Sequence, residues 1–438
     1  MPLNLDIPHE EGLANGTTNG TTNGTTDGHT NEITLEQTPY GTLDASRTRV
    51  TLTQSPKAVP SPDSPEVKAL RACTDHMVIA KWTLERGWAD PEIVPYSPLS
   101  LMPSASVLQY STSCFEGMKL FRGYDGRLRL FRPRSNCERM LASAQRISLP
   151  SFPPEELHKL IRKFCEIDGP KWLPQHQPGT FLYLRPTIIG SDDSLGFDVP
   201  TEATLYVFAC YWPGKKPEPL KQNDVELTKP QSGMRLLASQ DGHVRAWPGG
   251  TGSTKLSANY GPALVAHAEC KSKGYDQVLW LFGPECRVTE AGSTNIFVIW
   301  RTQQGKLQLV TPALREGLIL PGITRMSILE LARERLSGKK GQKTEHSGAE
   351  KSLEPLDVIE TDFTIVDLMM AKSDGRLVSA FVAGTASFIV PITEINFRGH
   401  QINIDAGSSA HIDLLKQTMA DIMYGRESNS WAEVLDDA

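Results

Sequence analysis

The chain has 438 residues and a formal net charge of −6, a balance that gives no electrostatic footing for nucleic acid or an anionic membrane. No apolar run approaches the roughly 20 residues of a membrane span, and the seven cysteines are scattered without a C-x-x-C, which excludes zinc-ribbon and thioredoxin-like readings. An odd, dispersed set of thiols fits free buried cysteines in a reducing compartment.

In chain order, residues 1–60 read as a polar, low-complexity, unstructured N-terminus, with NGTTNGTTNGTTDG at 15–28 and VPSPDSP as the last linker. Asn15, Asn19 and Asn23 each match N-x-T, but no signal peptide accompanies them. The acidic opening MPLNLDIPHEEG is the opposite of an arginine-rich presequence, so the cytosol is the expectation. Two apolar runs flanking Gly123-Tyr124-Asp125-Gly126 predict a hairpin. Ser135-Asn136-Cys137-Glu138 reads as a capping box, and Met140, Leu141, Ala144 and Ile147 give the following helix one apolar face. A second helix fits residues 154–167, and TFLYLRPTIIG and ATLYVFACYW read as strands.

YWPGKKPEP marks a linker between domains. Beyond it, a helix runs from Pro262 to Lys273 and closes at Gly274. QVLWLF, RVTE, NIFVIW and KLQLV form a meander, and LPGITRMSILELARERL opens a helix after Pro321-Gly322. Residues 337–353 read as a charged surface insertion, and a last helix falls near 408–424. Strands cluster instead of alternating with helices, which favours an α+β architecture of two domains over a doubly wound parallel sheet. The expected division is a small N-terminal domain at 61–212, a linker at 213–222 and a larger C-terminal domain at 223–438.

One stretch carries unusual chemistry. GGTGSTKLSANYGP places Lys255 after Gly249, Gly250 and Gly252, with Tyr260 five residues on. A loop lysine is ordinarily a solvated charge. Glycines, however, let backbone pass close to a ligand, and Glu290 follows in VTEAGSTNIF at a turn of small residues. A Schiff-base lysine, a tyrosine at a phenolic oxygen and a carboxylate at a ring nitrogen together suit pyridoxal 5'-phosphate.

The segments YSTSCFEGMKLFRG, RLFRPRSNCERM, LYLRPTIIG, RAWPGGTGSTKLSANYGP, QVLWLFGPECRVTEAGSTNIF, LILPGITRMS and VAGTAS run in this order along most of the globular chain. Together they resemble the branched-chain amino acid aminotransferases of eukaryotic type, class IV aminotransferases of fold type IV. The resemblance implies a D-amino acid aminotransferase-like fold with a small α/β domain and a larger pseudo-barrel domain. It also implies pyridoxal 5'-phosphate as cofactor, branched-chain L-amino acids and 2-oxoglutarate as substrates, and a homodimer with no metal.

By the same resemblance Lys255, Glu290 and Tyr260 are catalytic. Lys255 would carry the cofactor and move the substrate proton, Glu290 would pair with the pyridine nitrogen, and Tyr260 would meet the phenolic oxygen. Arg139, Ser293, Ile323, Thr324 and Thr385 would cup the phosphate. Arg185 would meet the γ-carboxylate of glutamate, beside Tyr183, which alternates onto the same face of its strand. Phe115 and Tyr211, with Tyr110 and Phe197 from the partner subunit, would wall the pocket. The α-carboxylate would rest on the backbone N–H groups of Thr385 and Ala386. From the residues alone, the aromatics fit core packing as well as a pocket.

The pattern has departures. The segment after the GTA turn is Ser387-Phe388-Ile389-Val390, without the C-x-x-C of mammalian-type members. Ala69 stands where an aromatic is usual, and Thr254 and Ser257 flank the lysine in place of the common residues. These departures leave two alternatives open: a paralogue of altered substrate range, and a D-amino acid transaminase.

Overall fold

Two mixed sheets organise the chain, a ten-stranded sheet and a nine-stranded one. The computed structural model describes residues 41–212, 233–337, 353–405 and 409–435. The Asn15, Asn19 and Asn23 repeat, the linker 213–222 and positions 338–352 of the insertion lie outside the described residues. In the first part, β1 (Arg49–Val50), α1 (Pro65–Lys68), β2 (His76–Thr83), β3 (Gly87–Trp88) and β4 (Glu92–Pro95) lead to α2 (Ser106–Tyr110). The hairpin follows as β6 (Met118–Arg122) and β7 (Leu128–Phe131), preceded by β5 (Ser113–Phe115). Helices α3 (Pro133–Arg146) and α4 (Pro154–Trp172) then precede the long strands β8 (Phe181–Gly190) and β9 (Glu202–Tyr211).

The alternation of β8 decides what each face of this sheet does. Leu182 and Leu184 point into a core shared with Met140 and Ala144 of α3 and Leu160, Ile161 and Phe164 of α4. Phe181, Tyr183 and Arg185 therefore stand on the opposite face, away from the helix layer. Helix α3 departs from its expected start: it begins at Pro133, after Arg132 in a left-handed conformation with φ of 46°. Proline is preorganised for the first helical position, so Ser135 lies inside the helix and no side chain caps it. Helix α4 continues past 167 to Trp172.

The second part contains β10 (Met234–Ala238), α5 (Ala263–Ser272), and the expected meander as β11 (Gln277–Phe282), β12 (Arg287–Ala291), β13 (Thr294–Arg301) and β14 (Leu307–Thr311). After α6 (Ile323–Arg335) come β15 (Asp357–Glu360), α7 (Ile365–Ser373), β16 (Leu377–Gly384), β17 (Phe388–Phe397), β18 (His400–Asn403), α8 (Ala410–Met423) and β19 (Ala432–Leu435). Strands run in the order β12-β11-β10-β17-β16-β13, and β13 pairs back to β12 through Glu290–Asn295 and Ala291–Thr294. That pairing closes a six-stranded barrel, and its closing register holds Glu290.

The chain crosses the expected domain limits at both ends. Leu43 and Ala45 are buried in the first core, and β1 pairs with β4, so ordered structure starts well before residue 61. At the other end β19 returns to pair with β7 of the first sheet. A single apolar cluster joins Phe121, Phe131 and Phe181 of the first sheet to Phe297 and Phe381 of the second. Phe297 and Phe381 stack with centroids 4.9 Å apart. The two sheets thus meet through packed core, and the site lies where the Tyr183 face meets the barrel. Among the described residues no helix is long and apolar enough to cross a membrane, and no cluster of potential metal ligands occurs.

Candidate active site

The lysine is fixed by its backbone. Lys255 N–H donates to Ser143 Oγ of α3 at 2.9 Å, and its carbonyl accepts from Phe115 N–H of β5 at 3.1 Å. Asn259 knits the segment from within, donating to the carbonyls of Thr251 and Thr254, each at 2.9 Å. Gly252 is required by close approach: a Cβ there would stand 2.4 Å from Ala246 Cβ and 2.8 Å from the carbonyls of Gly317 and Leu318.

From this anchored backbone Lys255 Nζ reaches Tyr260 Oη at 3.2 Å. The Phe115 and Tyr260 rings pack with centroids 5.1 Å apart, and the amine lies 5.1 Å from the Phe115 centroid. Burial first, and then the positive charge of Arg139, push the Lys255 amine below its ordinary range; Glu116 and Tyr183 act against this. Burial, and then the charge of Glu290, push the Tyr260 phenol up.

Glu290 is buried on β12. It forms an ion pair with Arg245, accepts the Leu320 N–H at 3.1 Å and meets Asn295 Nδ2 at 3.4 Å. Burial raises its carboxyl above the usual range, partly offset by Arg245, the Leu320 hydrogen bond and Lys255. Tyr260, Glu290, Arg245, Ser293 and Leu320 line one cleft.

The structure gives Arg139 a partner that sequence reasoning missed. Glu116, fully buried, takes Arg139 Nε on Oε1 at 2.7 Å and Nη2 on Oε2 at 2.8 Å, with Asn136 Nδ2 at 2.8 Å. Burial works against ionisation of Glu116, but Arg139, Lys255 and Asn136 together hold its carboxyl below the usual range. Arg139 sits in the second turn of α3, and its Nη1 donates to Pro321 O at 3.0 Å. The guanidinium is thereby set at the start of α6. Gly322 caps that helix without a side chain, leaving the first-turn N–H groups of Ile323 and Thr324 as the kind that receive an anion. Glu116→Ala strands Arg139 in a buried position. We expect it to cost about 3–5 kcal/mol of stability, read as a lowered urea midpoint of the cofactor-free protein; an unchanged midpoint would contradict this pairing.

Tyr183 and Arg185 share their face, with Arg185 Nη2 donating to Tyr183 Oη at 3.2 Å. Arg185 lies 4.6 Å from the Phe115 centroid, and its buried Nε has no hydrogen-bond partner among the described residues. Gly117 makes room: a Cβ would stand 2.0 Å from Tyr183 Oη. Tyr183 also packs against Trp212, with centroids 4.9 Å apart.

Tyr211 does not join them. It pairs in register with Leu182 and is buried in the helix-side core, on the opposite face from Tyr183. Its assignment as a pocket wall is therefore corrected.

Ser293 and Thr385 occupy the turns after β12 and β16, at one end of the barrel, with Ser293 exposed and Thr385 half-buried. Gly384 is packed against Thr294, where a Cβ would lie 3.0 Å from Cγ2. The exposed Ala386 carbonyl is 3.5 Å from Lys119 Nζ. Lys119 pairs in register with Tyr183, and burial lowers its amine to about 8; the sequence reading passed over it. Tyr110 and Phe197 form an exposed pair, centroids 5.4 Å apart, with Tyr110 Oη donating to Leu195 O at 2.6 Å.

Residues 113–395 match the family model for class IV aminotransferases. The chain is 41% identical over 406 residues to the cytosolic branched-chain-amino-acid aminotransferase of Saccharomyces cerevisiae, covering 90% of this chain and 98% of that one. It is 40% identical over 397 residues to the mitochondrial branched-chain-amino-acid aminotransferase of Schizosaccharomyces pombe, covering 89% and 84%. Among solved structures, the branched-chain aminotransferase of Thermoproteus uzoniensis with norvaline superposes with a TM-score of 0.58 at 23% identity, covering 82% of this chain and all of that one. The branched-chain amino acid aminotransferase of Escherichia coli gives 0.59 at 22%, covering 81% and 97%.

Proposed function

The chain belongs to the class IV aminotransferases and, among them, to the branched-chain-amino-acid aminotransferases; on that premise we propose how its residues perform the reaction. It is a transaminase that moves the amino group between L-leucine, L-isoleucine or L-valine and 2-oxoglutarate, and its cofactor is pyridoxal 5'-phosphate. The observation that carries the assignment of roles is Lys255 Nζ at 3.2 Å from Tyr260 Oη, on the same site as the buried Glu290. These residues fit the cofactor: an amine for its carbonyl carbon, a phenol for its ring oxygen, a buried carboxylate for its ring nitrogen. The α6 N-terminus beside Arg139 suits its phosphate.

The bound cofactor supplies an electron sink for the pair left when the substrate Cα–H bond breaks. Lys255 Nζ takes that proton, and its depressed affinity for protons makes the neutral, proton-accepting amine more available. Tyr260 Oη orients the amine. Glu290, held by Arg245 and Leu320 N–H, keeps a negative charge facing the cofactor nitrogen. Arg139, with Ile323 and Thr324 N–H, holds the phosphate, while Ser293 and Thr385 add hydroxyls from the barrel-end turns. Glu116 fixes the Arg139 fork and leaves its outer edge toward α6.

One pocket must accept an aliphatic side chain and then a γ-carboxylate. Phe115, Tyr183 and Trp212 form the apolar wall, and the Arg185 guanidinium, beside Tyr183, meets the carboxylate. The Thr385 and Ala386 N–H groups hold the α-carboxylate. Arg185→Gln tests this division. At about 2 kcal/mol or more for a buried charged partner, KM for 2-oxoglutarate should rise at least roughly 30-fold, with the L-leucine half-reaction little changed. Equal losses for both substrates would contradict it.

We further propose a homodimer. Phe197 is 89% exposed, and Tyr110, Leu195, Leu108 and Met102 are exposed around it, an apolar surface of the kind a second copy buries. Light scattering should give twice the chain mass for the native protein and the chain mass for Phe197→Asp. The seven unpaired thiols and the cytosolic relative in yeast favour a cytosolic setting.

A further inference from the structure

Cys73 and Cys210 oppose each other as an isolated antiparallel bridge at the end of β9. Thr74 N–H donates to Ala209 O at 2.9 Å on one side, and Tyr211 N–H to Ala72 O at 2.8 Å on the other. This pattern makes Cys73 and Cys210 the narrow, non-hydrogen-bonded pair of the ladder. Such pairs hold their Cα atoms about 4.5 Å apart, inside the roughly 4.4–6.8 Å range of disulfides. Cys210 is the neighbour that most strongly influences the Cys73 thiol, while the Cys210 Sγ–H itself donates to Tyr211 O at 3.8 Å.

The surroundings distinguish the two sulfurs. Cys73 is half-buried and Cys210 buried. Lys57 Nζ donates to Cys73 O at 3.1 Å and to Thr74 O at 3.2 Å, and sits 4.9 Å from the Tyr96 centroid. Cys210, helped by Tyr96 and Lys57 against burial and Glu66, lowers the Cys73 thiol to about 6. Of the two sulfurs, Cys73 is therefore the one favoured as thiolate, the reactive form. Burial has the opposite effect on Cys114, Cys137, Cys165 and Cys270, whose thiols are pushed up.

The pair also adjoins the candidate site. Cys210 is the cross-strand partner of Tyr183, so both stand on the substrate face of the sheet, and Trp212, two residues on, packs against Tyr183. We propose that Cys73 and Cys210 are a peroxide-oxidisable dithiol that closes to a disulfide on the wall of the substrate cleft. Cys73 Sγ attacks hydrogen peroxide and the O–O bond breaks, giving a sulfenic acid at Cys73 and hydroxide. Cys210 Sγ then attacks the Cys73 sulfur, the S–S bond forms, and the sulfenic oxygen leaves as water. Peroxide takes up two electrons, one from each sulfur. The cross-link stands independently of the reading of Tyr183; only its effect on turnover rests on that reading.

The test treats the cofactor-loaded protein with hydrogen peroxide, alkylates remaining thiols, and digests without reduction. The expected product is one peptide pair joining Cys73 to Cys210, lighter by two hydrogen atoms and separated by dithiothreitol. In Cys210→Ser, a sulfenic acid trapped by dimedone should accumulate at Cys73 ahead of the other cysteines. Oxidised wild type should show a severalfold higher KM for 2-oxoglutarate, and Cys73→Ser should keep the reduced enzyme's KM before and after peroxide. A pairing with any other thiol, or modification of Cys73 without the joined peptide, overturns the dithiol. A joined peptide with unchanged KM overturns its link to the cleft.

Discussion

Lys255→Ala is expected to abolish transamination, with kcat falling by at least about 10⁴-fold, because nucleophile and proton carrier are one group. The fold should survive. The anchors of this segment are the Lys255 N–H on Ser143 and the Lys255 carbonyl under Phe115 N–H, and both belong to the backbone. The visible absorbance of protein reconstituted with pyridoxal 5'-phosphate should be lost along with activity, while thermal unfolding of the cofactor-free variant stays near wild type. Retained turnover would remove Lys255 from the chemistry.

Glu290 gives the second large effect, and two substitutions separate its roles. Glu290→Gln keeps the shape and an acceptor for Leu320 N–H but removes the charge facing the cofactor nitrogen. A fall of about 10²–10³ in kcat is expected, the scale of losing one preorganised electrostatic partner. Glu290→Ala also strips Arg245 of its partner in a buried setting, adding about 3–5 kcal/mol of destabilisation. Kinetics and urea unfolding on both variants measure the two effects. Equal activity in Glu290→Gln and wild type would contradict the electrostatic role.

Lys255, Tyr260 and Glu290 could be singled out because they fall in ordered, glycine-punctuated motifs, and the fold brings them together. From the residues themselves the barrel that unites them read only as a meander, the pseudo-barrel being implied by the resemblance, since its closure depends on the β12–β13 register. Glu116 was not legible: a carboxylate beside a phenylalanine reads as surface, and only folding shows Arg139 and Asn136 converging on it. Arg245 escaped for the same reason, its partner lying 45 positions along the chain.

Tyr211 was placed in the pocket by resemblance, but the side a ring takes depends on the register between strands. Leu182 opposite Tyr211 puts that ring among the helices. The capping motif at Ser135 failed because Pro133 takes the first helical position, which moves the cap from Ser135 to Arg132. β1 and β19 are too short, at two and four residues, to signal their own pairing; the sheet edges recruit them.

The central claim is that this site accepts branched-chain L-amino acids and glutamate in turn, with Lys255 carrying the proton. Its most direct test mixes the cofactor-loaded protein, without any keto acid, separately with L-leucine, L-isoleucine, L-valine, L-glutamate and D-alanine. The conversion of bound cofactor to its pyridoxamine form is followed in a single turnover. The four L-amino acids should each convert the wild-type cofactor, D-alanine should not, and Lys255→Ala should convert with none. Conversion by D-alanine with no conversion by L-leucine would contradict the account.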